Sequence, residues 1–192
     1  MEIGCFTKSE SRLRGKCRPT DSLFSFLFIF QRVLYLLITT GKKPDFLQKL
    51  IAKALFLCTP ESLLEGRGKC TISSLLLKAR KLHFSRMCTI SKHEGGASEI
   101  SFLSLEEDGS WQRLSPTIIA QYAVACEGKK AWRQAQSRSL KLTGTKSAAF
   151  QKLLSPNAVD LEAESMITAG ASALSFKLDR TELLKMGVKY EK

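Results

Sequence analysis

Three short stretches come nearest to having the residue types and spacing that chemistry needs. Gly66-Arg67-Gly68-Lys69-Cys70-Thr71 has the glycine and lysine of a phosphate-binding loop. Such a loop, however, puts its first glycine five positions before the Gly-Lys pair and a hydroxyl directly after the lysine. Leu63 and Cys70 occupy those two places. Gly144-Thr145-Lys146-Ser147 fails differently, because Thr145 separates the glycine from the lysine. Both stretches read as loops. His83, Cys88 and His93, with Cys70 upstream, are residue types that ligate zinc. Zinc sites bring donors as pairs two to four residues apart, so that both reach one ion from a single turn. Here no such pair exists, and a helix over 73–91 would set His83 and Cys88 about 140° apart around its axis. With no paired carboxylates, nucleophile–base set or phosphate loop, the sequence predicts a non-enzymatic protein with no cofactor and no metal.

Cations are the remaining chemistry. The net charge is +12, and residues 1–96 supply +10 of it against +2 from residues 97–192. A basic half beside a near-neutral half implies an acidic partner for the former. Lys49 and Lys53 fall on the polar side of a helix expected over 45–57. Lys78, Arg80, Lys81 and Arg86 alternate with Leu75, Leu76, Leu77 and Leu82. These six form the expected partner-binding face, and it suits an acidic protein, anionic lipid or nucleic acid equally. Lys177, Lys185 and Lys189, in the near-neutral half, are expected to contribute little. Trp132 sits among Lys129, Lys130, Arg133 and Arg138. A ring beside cations can stack on a base, but a single tryptophan is better explained by core packing.

The elements that must position these residues are read from apolar patterning. Leu far outnumbers Val, and straight or γ-branched side chains favour helix over strand. The expected fold is mainly α, an irregular multi-helix assembly with at most one β-hairpin near 99–114, where Asp108-Gly109 marks a tight turn. Hydroxyl–proline pairs (Thr59-Pro60, Ser115-Pro116, Ser155-Pro156) and scattered glycines divide the chain into helices at 45–57, 73–91, 116–127, 129–139, 146–154, 157–169 and 180–186. The last of these takes Asp179 as its N-cap, three residues before Glu182. No repeat of fixed period is visible. Residues 1–20 read as a flexible basic arm, 21–95 as a hydrophobic segment and basic helical half, and 96–192 as a near-neutral helical half.

The segment Leu23 to Ile38 is the longest apolar run. Twelve Leu, Ile, Phe and Val residues between 22 and 41 favour insertion into a bilayer by about 5 kcal/mol, and a central Arg32 opposes it by about 3 kcal/mol. With Gln31 and two serines counted, the balance lies near zero. Two readings follow: a core helix with Arg32 reaching out past its own apolar stem, or a single-pass or peripheral membrane anchor over 22–41. Six dispersed cysteines without a C-x-x-C pair read as free, buried thiols. Together with the lack of a glycosylation acceptor at Asn157, they suggest an intracellular protein. The function expected from sequence is therefore a helical protein that binds an acidic partner through its basic N-terminal half.

Overall fold

A computed structural model describes residues 36–106, 108–125, 131–154 and 163–191. Strand accounts for 46% of them and helix for 26%, which overturns the mainly α expectation. The described strands are β1 (Leu36–Thr40), β2 (Ser62–Glu65), β3 (Arg86–Lys92), β4 (Ser98–Leu105), β5 (Trp111–Ala125), β6 (Leu140–Thr143), β7 (Ser165–Ala169), β8 (Ala173–Leu178) and β9 (Thr181–Glu191). They form one mixed sheet in the order β2-β1-β3-β4-β5-β9-β8-β7-β6. The helices are α1 (Phe46–Cys58), α2 (Ile72–Lys81) and α3 (Ser147–Leu154).

Leucine content misleads because this sheet is covered on both faces near β1. All five residues of Leu-Leu-Ile-Thr-Thr in β1 are buried, as befits a parallel strand flanked by parallel β2 and β3. Leu36 and Ile38 point into the main core with Ile51, Leu55, Cys88 and Phe102. Leu37 points the other way, into a smaller core with Leu75, Ala79, Phe84 and Met87. Thus α1 and α3 cover one face, while α2 covers part of the opposite one. Leu36–Ile38, the end of the apolar run that suggested a membrane anchor, are sheet rather than helix. The rest of that run and the basic arm lie outside the described residues. No helix among the described residues is long and apolar enough to cross a membrane.

Other expected helices give way to strands. The 45–57 and 146–154 segments are helical, as α1 and α3. Of 73–91, only the first part is helix, since Arg86–Lys92 is β3. Of the 116–127 stretch, residues 116–125 belong to β5 and 126–127 lie outside the described residues; Ser115-Pro116 is a cis peptide at an irregularity in the pairing with β4, a place where a strand tolerates proline. Residues 131–133 make one short 3-10 turn. The segment 165–169 is β7, and 181–191 is β9. Asp179 is not a helix cap: with Arg180 it has positive φ (46° and 68°) in the two-residue turn joining β8 to β9, the backbone of a tight hairpin. The hairpin anticipated near 99–114 is present as β4–β5, inside the continuous sheet.

The topology contains a duplication. In the first half β1 leads into α1, and β3, parallel to β1, opens an antiparallel run β3-β4-β5. The second half does the same: β6 leads into α3, and β7, parallel to β6, opens β7-β8-β9. The halves meet where β5 and β9 pair antiparallel, and among the described residues only the first carries the extra β2 and α2. With this topology as a guide the sequence shows the repeat too. Thr40-Gly41 ends β1 and Thr143-Gly144 ends β6; each glycine precedes a lysine by two positions, Lys43 and Lys146. Gln48-Lys49-Leu50-Ile51 in α1 then corresponds to Gln151-Lys152-Leu153-Leu154 in α3. In each half the chain just past the first parallel strand bonds back to its neighbour, from different positions: Gly41 N donates to Ile90 O on β3 (2.9 Å), and Lys146 N donates to Ala169 O on β7 (2.8 Å). Gly144 has φ +95°, and a Cβ there would run into the Ala169 backbone.

Candidate nucleic-acid interface

In the second half, the sheet face turned away from α1 and α3 has no helix over it among the described residues. Strand alternation decides what this face shows. Leu174, Phe176, Met186 and Val188 point to the main core, so their neighbours point to the open side. One cross-strand row there reads Thr143, Thr168, Ser175, Lys185, Val124. A second reads Lys141, Met166, Lys177, Glu182. Beyond them lie the pairs Gly187–Tyr122 and Lys189–Ile119. Lys185 and Lys189 are exposed and stand about 13 Å apart along β9.

Tyr122 is the aromatic group of this surface. It is 62% exposed, and Val124, two positions on in the same strand, is 57% exposed. The ring lies over Gly187, where an added Cβ would strike it. A glycine beneath an aromatic cross-strand partner keeps the backbone covered and fixes the ring against the sheet. Toward the far edge of the same face the side chains are small hydroxyls: Thr143 Oγ1 on β6 and Thr168 Oγ1 on β7 share a hydrogen bond of 2.9 Å. Such a surface offers a stacking plane, hydroxyl hydrogen-bonding groups and ammonium groups together.

Toward α2 the same face carries an ion-pair network. Glu99 accepts from Arg113 and from Ser101, and His93 Nδ1 lies 3.5 Å from it. The Ser101 hydrogen bond, assisted by His93 and Arg113 against a desolvation penalty, holds the Glu99 carboxyl below its ordinary range. Lys189 is 3.2 Å from Glu191.

The six cations expected to form one binding face are separated by the sheet. Lys49 and Lys53 ride on α1, on the main-core side. Lys78, Arg80 and Lys81 are exposed on α2, on the side of the open face. Lys78 is engaged with Glu65 at 2.6 Å. Arg86 opens β3 half-buried, with its Nε buried and burial lowering its pKa against the opposing pull of Glu106. It is the least available of the six. Lys177, Lys185 and Lys189 instead share the open face with Tyr122. The signal that could have found them is the period-two alternation in Ala173-Leu174-Ser175-Phe176-Lys177-Leu178 and in Lys185-Met186-Gly187-Val188-Lys189-Tyr190.

Neither loop nor zinc candidate gathers into a site. Gly66–Cys70 joins β2 to α2, whose N-cap Thr71 accepts from Ser74 N at 3.1 Å. Cys88 lies fully buried in the main core, while exposed His83 ends α2 on the other side. Among the described residues no three of His, Cys, Asp and Glu come together as metal ligands. Burial pushes the Cys58 thiol up to about 12 and raises that of Cys88 further, whereas Cys70 is exposed.

No family model matches the sequence, and no curated protein matches it. Among solved structures, the chain is similar to the crystal structure of a probable ribosomal biogenesis protein from Aeropyrum pernix K1. The two are 13% identical, with a TM-score of 0.63 covering 81% of this chain and 95% of that one. At this identity the likeness shows the fold alone.

Proposed function

We propose that this chain is a non-enzymatic RNA-binding protein that acts in ribosome assembly. Its contact surface is the open sheet face of the second half together with the cations of α2. The observation that carries the reading is the grouping of Tyr122 with Lys141, Lys177, Lys185 and Lys189 on one uncovered, hydroxyl-rich surface. Single-stranded RNA is bound by stacking its bases on aromatic side chains of a sheet while cations track its phosphates. Lys78, Arg80 and Lys81 lie on the same side and extend the positive surface toward the first half. The structurally similar protein from Aeropyrum pernix K1 carries the description of a probable ribosomal biogenesis protein, which supports the ribosome-assembly part of the reading. Part of the basic face expected from sequence thus stays in the proposal, joined by residues of the half that looked neutral.

Binding of a labelled single-stranded RNA, followed by fluorescence anisotropy across a salt series, tests this. Each phosphate contact adds about 0.7 to the steepness of log affinity against log salt. Reversing Lys177, Lys185 and Lys189 to Glu should therefore flatten the slope by about 2. Tyr122→Ala should weaken binding by about 1–3 kcal/mol, roughly five- to 150-fold, and leave the slope unchanged. Equal losses from a triple reversal elsewhere on the surface, or no loss from Tyr122→Ala, would reduce the interaction to net charge and end the assignment of this face.

A further inference from the structure

A cavity of about 500 Å³ opens on the opposite side of the molecule, at the carboxyl ends of parallel β1 and β2. Its lining is predominantly hydrocarbon and indole, from Pro44, Leu50, Ala52, Leu64 and Trp132, with Lys49 and Lys53 also on its wall. On α1, Phe46, Lys49, Leu50 and Lys53 follow the spacing that places residues on one helix face. Phe46 is 75% exposed, the most exposed of the large apolar side chains among the described residues. The carboxylate that shares the wall, Glu65, is already paired with Lys78, so the uncompensated charge there is the cationic pair on α1. Apart from Lys78, which holds Glu65, none of these residues belongs to the surface assigned to RNA, and the sheet lies between the α1 lysines and that surface.

We infer that this cavity is a docking site for an acidic–apolar segment of a partner protein. One or two large apolar side chains of the partner fill the space against Leu50, Leu64 and Trp132, while flanking Asp or Glu residues meet Lys49 and Lys53. Two features choose this occupant over a nucleobase. A base needs groups that hydrogen-bond its edge, and these walls offer mostly carbon. An open apolar hollow beside an exposed phenylalanine is instead the form of a pocket for an anchoring side chain, and the lysines set the sign of what surrounds that anchor.

Selection of a phage-displayed peptide library on the full chain, followed by titration of the selected peptides, tests the inference. The chain contains two tryptophans, and Trp111 packs against the smaller core on the other face, so Trp111→Phe leaves Trp132 as the reporter. Selected peptides should carry Phe, Leu or Trp flanked by Asp or Glu, and should shift Trp132 emission saturably. Lys49→Glu with Lys53→Glu, both on the surface of α1, should weaken them at least tenfold, as should alanine in place of the peptide's apolar anchor. Reversal of Lys177, Lys185 and Lys189 should leave them unaffected, which separates this site from the RNA surface whatever the fate of that proposal. Failure to select any peptide, peptides without acidic flanks, or undiminished binding to the Lys49/Lys53 variant would overturn the inference. Quenching of Trp132 by RNA that the same variant abolishes would overturn it as well.

Discussion

Glu99 illustrates how one side chain on the open face ties local bonding to stability. Its carboxyl is held below the ordinary glutamate range chiefly by the hydroxyl of Ser101, with His93 and Arg113 adding to the effect. A carboxylate whose pKa is lower folded than unfolded stabilises the fold above the unfolded value, and that contribution fades as pH falls through the folded value. The acid limb of the stability curve should therefore steepen below the usual glutamate range, near about pH 4. Glu99→Gln should remove the share of this slope that Glu99 contributes, as read from urea midpoints measured between neutral and acid pH. An unchanged acid limb in the variant would show that the Glu99 network has no part in stability. Tyr122 makes a related point about legibility: it faces outward because a register shift between Ala120 and Tyr122 reverses the strand's parity, and Gly187 lies across the ladder, so its type alone could not reveal its place.

Among the elements, α1 was the most legible from sequence, and the reason is local. Asp45 accepts from Gln48 N at 2.8 Å, and Gln48 Oε1 accepts from Asp45 N at 3.1 Å, a reciprocal cap encoded within four residues. Asp45→Ala should cost about 1 kcal/mol of stability, measurable as a lowered denaturation midpoint with the folded spectrum retained. No loss would mean that burial of Ile51, Ala54 and Leu55 alone sets the helix start. Strands were illegible where their signal is non-local. Leu36–Thr40 is apolar on both faces, and periodicity cannot separate such a run from a buried helix. Pro116 looked like a helix start because its role depends on a bulge against β4. Asp179 fitted a cap by spacing, yet it turns a hairpin whose strands alternate cleanly on either side. The basic face was read on helical geometry, which fails for Arg86 in β3 and places Lys49 and Lys53 across the sheet from Lys78, Arg80 and Lys81.

At the scale of the whole described unit, the duplication decides how the halves depend on each other. Each contributes a strand–helix–three-strand motif, but neither closes a core alone. Phe102 of β4 and Phe176 of β8 belong to one cluster, and α1 of the first half packs its buried face over strands of both. The Cys58 thiol at the end of α1 donates to Lys177 O on β8 at 3.5 Å, and Ser165 Oγ on β7 donates to Cys58 O at 2.7 Å. The long β5–β9 ladder then joins the two meanders through the centre of the sheet. Halves that share one core unfold as one cooperative unit rather than as two domains. Phe102→Ala and Phe176→Ala, made in different halves, should each lower the same single transition by about 3–5 kcal/mol. The measurement is chemical denaturation followed by far-ultraviolet circular dichroism and by tryptophan fluorescence, whose curves should coincide in both variants. A biphasic curve, with Phe102→Ala moving one phase and Phe176→Ala the other, would mean that each half holds its own core and that the β5–β9 ladder only tethers them.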